Sequence, residues 1–311
     1  MELRHLRYFV MVSEEKHFTR AAARLNMQQP PLSQQIRALE QELGFELFVR
    51  HPKGVDLTTG GQVFLSEAKE ILQRVELAAA KAARTAQGIV GTLSIGFTSS
   101  AASHPLIPRI IREYRKNYPN VDITLHEGNA GELTEQVTSE RVDVGILRAP
   151  VARPQGVQFH RLLNEEMLLV LPTGHPQLKG GSETPVSLKD LSDEPFILVR
   201  RPGAPGMYAN LMQACRNAGF EPRIAFEIER MLTNVSLVAA GAGISVVPAS
   251  MKGLHTDSVV YRRIRDAKPR LVAPITLASR GFNQSPATDN FIQLARQLSS
   301  QYRKELVARA S

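Results

Sequence analysis

The sequence predicts an α/β protein in three parts: a small helical N-terminal segment, one long helix, and a C-terminal region of two α/β lobes. Up to about residue 58, apolar residues recur at helical spacing in three short segments, followed by a turn-rich pair of β-prone runs. From Gly60 to Gly88 the apolar positions recur in heptads with no proline. Beyond Gly88, short β-rich runs alternate with helical segments. A length of 311 residues fits two or three such units better than one.

Glu2 to Glu15 carries Leu3, Leu6, Phe9 and Val10 on one face and reads as a core helix. The second helix is expected to take Thr19 as its N-cap, bury Phe18, Ala21, Ala22 and Leu25, and end at Asn26, which tolerates a left-handed turn. The third lies in QQPPLSQQIRALEQELG, Gln28 to Gly44. Leu32, Ile36, Leu39 and Leu43 form its buried stripe, Pro31 suits the first turn and Gly44 the stop. Ser33, Gln34 and Arg37 then face outward near its start, where side chains with hydrogen-bonding capacity can reach the edges of bases. Two short helices, a short turn and a small Ala22 where they cross make a helix-turn-helix. A plain three-helix bundle explains the stripes but not the polar outward face.

In LFVRHPKGVDLT, Leu47 to Thr58, two β-prone runs flank His51-Pro52-Lys53-Gly54 and predict a hairpin. Such a wing sets Arg50 and Lys53 beside a phosphate backbone, which positions a protein without specifying sequence; the alternative is a pair of ordinary turn charges. Residues 1–58 thus form a winged helix-turn-helix and 59–90 a linker helix. In the linker, Phe64, Ile71, Ala78 and Thr85 recur every seven residues, with Ala68, Val75 and Ala82 four positions after the first three. This seam predicts dimerisation through Phe64, Ala68, Ile71, Val75, Ala78 and Ala82, the alternative being a helix packed on its own domain. A dimer also has a use, since two recognition helices on one axis read two half-sites.

Residues 91–311 read as repeated βα units with a mainly parallel sheet. The strands are TLSIGFT, VDITLHEG, VGILR, EMLLVLP, FILVR, IAFEI, GISVVP and APITLAS, and a last helix runs from Ala287 to Arg303. Two lobes follow, one of about 91–163 with 268–311 and one of about 164–267, with a cleft between them. Thr98, Ser99 and Ser100, Asn129 and Arg148 all follow strands and converge there. Hydroxyls and N–H groups before a helix favour an anion, and Arg148 offers a fork to a carboxylate.

The formal net charge is +8, but residues 1–58 hold eight Lys/Arg against seven Asp/Glu, so basicity alone says little about DNA. One cysteine, Cys215, excludes an intramolecular disulfide and a thiolate-rich metal site. Neither a secretory leader nor a membrane span is expected from the charged, interrupted start MELRHLRYFVMV or from any later run, which favours the cytoplasm. There is no GxSxG, HExxH or P-loop, the eight histidines lack metal-ligand spacing, and Gly241-Ala242-Gly243 precedes a strand rather than following one. No catalysis, metal or cofactor is expected. A pure solute sensor leaves the first ninety residues unexplained, and a DNA-packaging protein leaves the last two hundred.

HLRYFVMVSEEKHFTRAAARLNMQQPPLSQQIRALEQELGFELFVRHPKGVDLTTGGQVFL resembles the signature of LysR-type transcriptional regulators. The resemblance implies a winged helix-turn-helix, a linker helix and a periplasmic-binding-protein-like effector domain of two α/β lobes, usually assembled as a tetramer. It implies double-stranded DNA, a small-molecule effector and RNA polymerase as partners, and sets Gln29, Pro30, Ser33 and Gln34 at the DNA. Many members have arginine where this chain has Gln34. LVAAGAGISVVPAS, MELRHLRYFV and the loop Gly96 to Ser100 are similar to the branch that governs aromatic-compound breakdown, whose effectors are often small carboxylates. By position Ser99, Ser100 and Arg148 match effector contacts there. Ala130 stands where that branch often has threonine. Arg200-Arg201-Pro202 with Met207 and Tyr208, also assigned to the effector, depart from its tyrosine-proline-rich loop, and the two arginines would tolerate extra negative charge.

Overall fold

The computed structural model describes residues 1–149, 152–178, 184–199 and 207–310; Arg200, Arg201 and Pro202 and the side chains of Met207 and Tyr208 lie outside what it describes. The chain divides into two compact units, Met1–Arg84 and Thr85–Ser311.

The first unit holds α1 (Leu3–Glu15), α2 (Phe18–Arg24), α3 (Gln29–Leu43), the strands β1 (Phe48–His51) and β2 (Gly54–Leu57), and most of α4 (Thr59–Ala86). Leu6, Phe9 and Val12 of α1, Ala21 and Ala22 of α2, and Leu32, Ile36 and Leu39 of α3 meet in one core. The Phe9 ring packs 5.3 Å from Phe48 and 5.2 Å from Phe64, so α1 joins hairpin to long helix. Helix α2 begins two residues earlier than expected: His17, not Thr19, is the N-cap, its Nδ1 accepting the Thr19 N–H at 3.2 Å. The ring nitrogen does the work usually assigned to a hydroxyl, and Thr19 falls inside the first turn. Asn26 takes φ 52°, and Gly44 ends α3 at φ 80° with its N–H on the Glu40 carbonyl at 2.9 Å, both as expected. Pro30 and Pro31 sit in the first turn of α3, where N–H groups have no helical acceptor.

Strands β1 and β2 pair antiparallel from Phe48↔Leu57 to His51↔Gly54, leaving Pro52-Lys53 as the loop. Gly54 is obligatory twice over: its φ is 147°, and a Cβ there would stand 2.4 Å from the Lys16 carbonyl oxygen, which receives the Val55 N–H at 3.0 Å. The seam on α4 needs correcting. Ala68 is fully buried in this unit's own core and so is not free for a partner, while Phe64 is half-buried and packs against the same core. Along the same helix Val63 at 63 % and Leu77 at 61 % exposure remain outside, with Ile71, Ala78 and Ala82 also exposed and Val75 half-buried.

The second unit runs β3 (Val90–Phe97), α5 (Ser99–Ala102), α6 (Leu106–Asn117), β4 (Asn120–Glu127), α7 (Ala130–Thr138), β5 (Val144–Leu147), β6 (Val157–Pro172), β7 (Pro195–Val199), α8 (Met207–Asn217), β8 (Arg223–Ile228), α9 (Met231–Ala239), β9 (Ser245–Pro248), β10 (Val259–Arg262), β11 (Val272–Arg280) and α10 (Pro286–Ala310). Among the described residues the main sheet has seven strands in the order β10-β6-β11-β5-β3-β4, with β9 also on β6, and β7 pairs β8 separately. The expectation of a mainly parallel sheet is corrected. β3 is parallel to β4 and β5, but β11 is antiparallel to β5 and β6, and β6 to β9 and β10. The long strands β6 and β11 carry the chain between the lobes in opposite directions, which forces antiparallel pairs at the centre. Leu162, Leu163, Ile275 and Leu277 belong to one core, Met167, Leu169, Leu271 and Ala273 to another, so the lobes divide in mid-strand.

Candidate functional site

In the helical unit, Gln29, Pro30, Ser33, Gln34 and Arg37 lie on the outward side of α3. Pro30, Gln34 and Arg37 are exposed, and Gln29 and Ser33 half-buried. The hairpin is tied to this helix from both ends. Glu40 Oε1 accepts the Leu47 N–H at 2.9 Å, and Arg50 donates from Nη1 to Ser33 Oγ at 3.3 Å while its guanidinium lies 4.8 Å over the Phe18 ring. Accepting from Arg50 leaves the Ser33 hydroxyl its own proton to donate, and a guanidinium has four further N–H groups. At the hairpin tip Lys53 is exposed, and its N–H donates to His51 Nδ1 at 3.3 Å. The other ring nitrogen of His51 faces Asp56 at 3.1 Å, an arrangement that suits a proton on Nε2. The structure thus joins Ser33 to Arg50, leaves the Lys53 ammonium at the tip without an ion-pair partner among the described residues, and adds Glu40, which no local pattern marked.

The α/β unit contains a cavity of about 170 Å³. Thr98, Ser99, Ser100, Asn129 and Arg148 line it together, as the convergence of strand ends predicted, with Met167, Leu198 and Val246 from the other lobe's strands. Its size is near that of a cavity of about 150 Å³ that takes up benzene. Thr98 caps α5, its Oγ1 accepting the Ala101 N–H at 3.2 Å. Asn129 caps α7 the same way, accepting from Gly131 and Glu132 N–H groups at 3.0 Å each, so its oxygen is already employed.

Arg148 departs most from expectation. It is 3 % exposed, and its guanidinium is not an open fork: Nη1 pairs with Glu165, and Nη2 donates to the Ser100 carbonyl and, at 3.2 Å, to Ser250 Oγ. Glu165 in turn accepts the Ser250 N–H at 3.0 Å and its hydroxyl at 2.9 Å. Burial pulls the Arg148 guanidinium below its ordinary pKa, and Glu165 opposes that pull. Burial likewise lowers His104, against a smaller opposing effect of Glu165. On Arg148, Nε has neither a hydrogen-bond nor an ion-pair partner among the described residues. Glu165 and Ser250 escaped sequence reasoning because their meeting follows from the antiparallel β6–β9 register, in which Met167 faces Pro248. Cys215 is fully buried and its thiol is pushed up to about 12 by burial, which removes it as a nucleophile. No cluster that could hold a metal ion and no helix long and apolar enough to cross a membrane occur among the described residues.

Comparison with known proteins agrees with the two-unit division. The family model described as bacterial regulatory helix-turn-helix protein, lysR family, matches residues 3–62, and that described as LysR substrate binding domain matches residues 86–300. The HTH-type transcriptional regulator AlsR of Bacillus subtilis (strain 168) is 39% identical over 295 residues, covering 95% of each chain. The HTH-type transcriptional regulator BenM of Acinetobacter baylyi (strain ATCC 33305 / BD413 / ADP1) is 36% identical, covering 96% of each. Among solved structures, full-length CbnR complexed with its target DNA matches with a TM-score of 0.78 at 28% identity, over 96% of this chain and 100% of that one.

Proposed function

The chain belongs to the LysR family of bacterial transcriptional regulators, ligand-responsive DNA-binding proteins and not enzymes, and from that premise we propose which of its groups bind DNA and effector. Ser33, Gln34 and Arg37 read base edges from α3 in the major groove, Gln29 and Pro30 lie against the backbone, and Arg50 and Lys53 of the wing hold phosphates. One observation carries this reading: the outward side of α3 is polar, exposed and braced by Arg50, while its other side is wholly committed to the core. Two copies join along the exposed part of α4 through Ile71, Val75, Ala78 and Ala82, as a dimer or a tetramer, and the assembled protein acts on RNA polymerase at the promoter.

The effector is a small organic acid, carboxylate or aromatic-derived, held in the cavity of the α/β unit. Its carboxylate is met by the hydroxyl and N–H groups of Ser99 and Ser100, whose peptide Arg148 holds in place. Binding changes the relation of the lobes about β6 and β11, and shifts DNA affinity only by its differential affinity for the two arrangements, typically ~1–3 kcal/mol. In a fluorescence titration of an operator duplex, small carboxylic acids should therefore change affinity by roughly 5- to 150-fold and their amides should not. Ser99→Ala should lose the response and keep basal DNA affinity. Equal effects of acids and amides, or collapse of basal binding, would contradict the placement.

A further inference from the structure

One residue that lines the cavity carries a buried acceptor with no donor among the described residues. Asn234 of α9 lines it and is 1 % exposed. Its amide orientation is set by its neighbours: Nδ2 donates to Ser245 Oγ at 2.9 Å and to the Ile197 carbonyl at 3.4 Å, and Ser245 Oγ donates to that same carbonyl at 2.7 Å. A carbonyl only accepts, so turning the amide over would set oxygen against oxygen. Oδ1 is therefore the atom left over, and it has no hydrogen-bond partner among the described residues. Of the other residues that line the cavity, Met167, Leu198, Leu211, Met231 and Val246 have no side-chain proton to offer. Tying β7 to β9 does not require the amide, because Ser245 already satisfies the Ile197 carbonyl. Buried polar atoms normally have partners, and one that lacks a partner beside a cavity is answered by what fills the cavity.

We propose that the effector is a hydroxylated acid, its hydroxyl donating to Asn234 Oδ1 while its carboxylate occupies the Ser99–Ser100 end. The carboxylate half rests on the function proposed above; the hydroxyl half rests on Asn234 alone. A simple acid leaves Oδ1 unmet, and a methyl ether in place of the hydroxyl sets a second acceptor against it.

The test is calorimetric titration of the full-length protein with benzoate, its 2-, 3- and 4-hydroxy derivatives and their methyl ethers, and with butyrate and its hydroxy and methoxy derivatives. At least one hydroxy acid should bind about tenfold or more tightly than both its parent and its ether, the effect of one well-made hydrogen bond. Asn234→Leu should bring that hydroxy acid to the affinity of its parent. Ser245→Ala removes a partner of Nδ2 and leaves Oδ1 in place, so it should keep the preference. Should Asn234→Leu fail to fold, the comparison of hydroxy acid with ether in the unaltered protein decides by itself. Acids that bind with no preference for the hydroxyl would overturn the proposal and leave the carboxylate reading standing. Failure of every acid to bind would overturn both.

Discussion

The two units hold their working groups in opposite ways. On the helical unit, Gln34, Arg37 and Lys53 stand in solvent, and the core behind them is apolar. In the α/β unit, Ser100, Arg148 and Asn234 are each buried, and Arg148 spends most of its hydrogen-bonding capacity inside the protein. A surface that meets DNA can leave its polar groups to water until the duplex arrives. A cavity has less water to rely on, so it must satisfy its own charges when empty, and Glu165 does this for Arg148. The difference teaches that binding and stability are separable on the first unit and entangled in the second.

That contrast can be broken by substitution. The largest effect is expected for Arg148→Ala, which strands Glu165 in a buried site and should cost about 3–5 kcal/mol in urea unfolding of the α/β unit. Replacing both partners, Arg148→Met with Glu165→Leu, should restore most of that loss. A single substitution costing under about 1 kcal/mol would mean the pair is effectively solvated and the contrast unfounded. Next comes a pair of near neighbours on α3. Ile36→Ala should cost about 2–5 kcal/mol, whereas Gln34→Ala should leave unfolding within about 0.5 kcal/mol of the unaltered protein. Comparable losses at both positions would show that Gln34 belongs to the fold. The smallest effect is expected at Cys215. With its thiol buried and pushed up to about 12, the native protein should react with a thiol-specific reagent only as it unfolds, and mild peroxide should leave DNA binding unchanged. Rapid native labelling would reopen a redox role.

Legibility in the sequence follows the same divide. Helix stripes are local and periodic, so the core face of α3, the turn at Asn26, the stop at Gly44 and the hairpin about Pro52-Lys53 could all be read from neighbouring residues. Where a cap is made by an atypical side chain, as by His17, the nearby Thr19 misleads. The α4 heptad overstates the seam between chains, because a heptad of apolar residues looks the same whether it meets another chain or its own domain; Ala68 meets its own. Only EMLLVLP was read as strand in β6, although it pairs with β11 from Val157 onward, since the mixed polar stretch before it has no clean alternation. Strand β10 is only four residues long, too short to stand out in the sequence. Of the cavity, the strand-end residues were legible and their partners were not. Glu165, Ser250 and Asn234 are joined to it through register and through Ser245, and neither leaves a mark in local sequence.

The central claim is that the outward side of α3 reads base pairs. Its most direct test is selection of bound duplexes from a randomised pool by the full-length protein, followed by the same selection with Gln34→Ala. The account predicts a bounded, near-palindromic site for the unaltered protein and, for the variant, relaxed preference at one or two positions in each half-site with the others retained, at about 1–3 kcal/mol per lost contact. Uniform weakening across every sequence, or an unchanged preference, would contradict it.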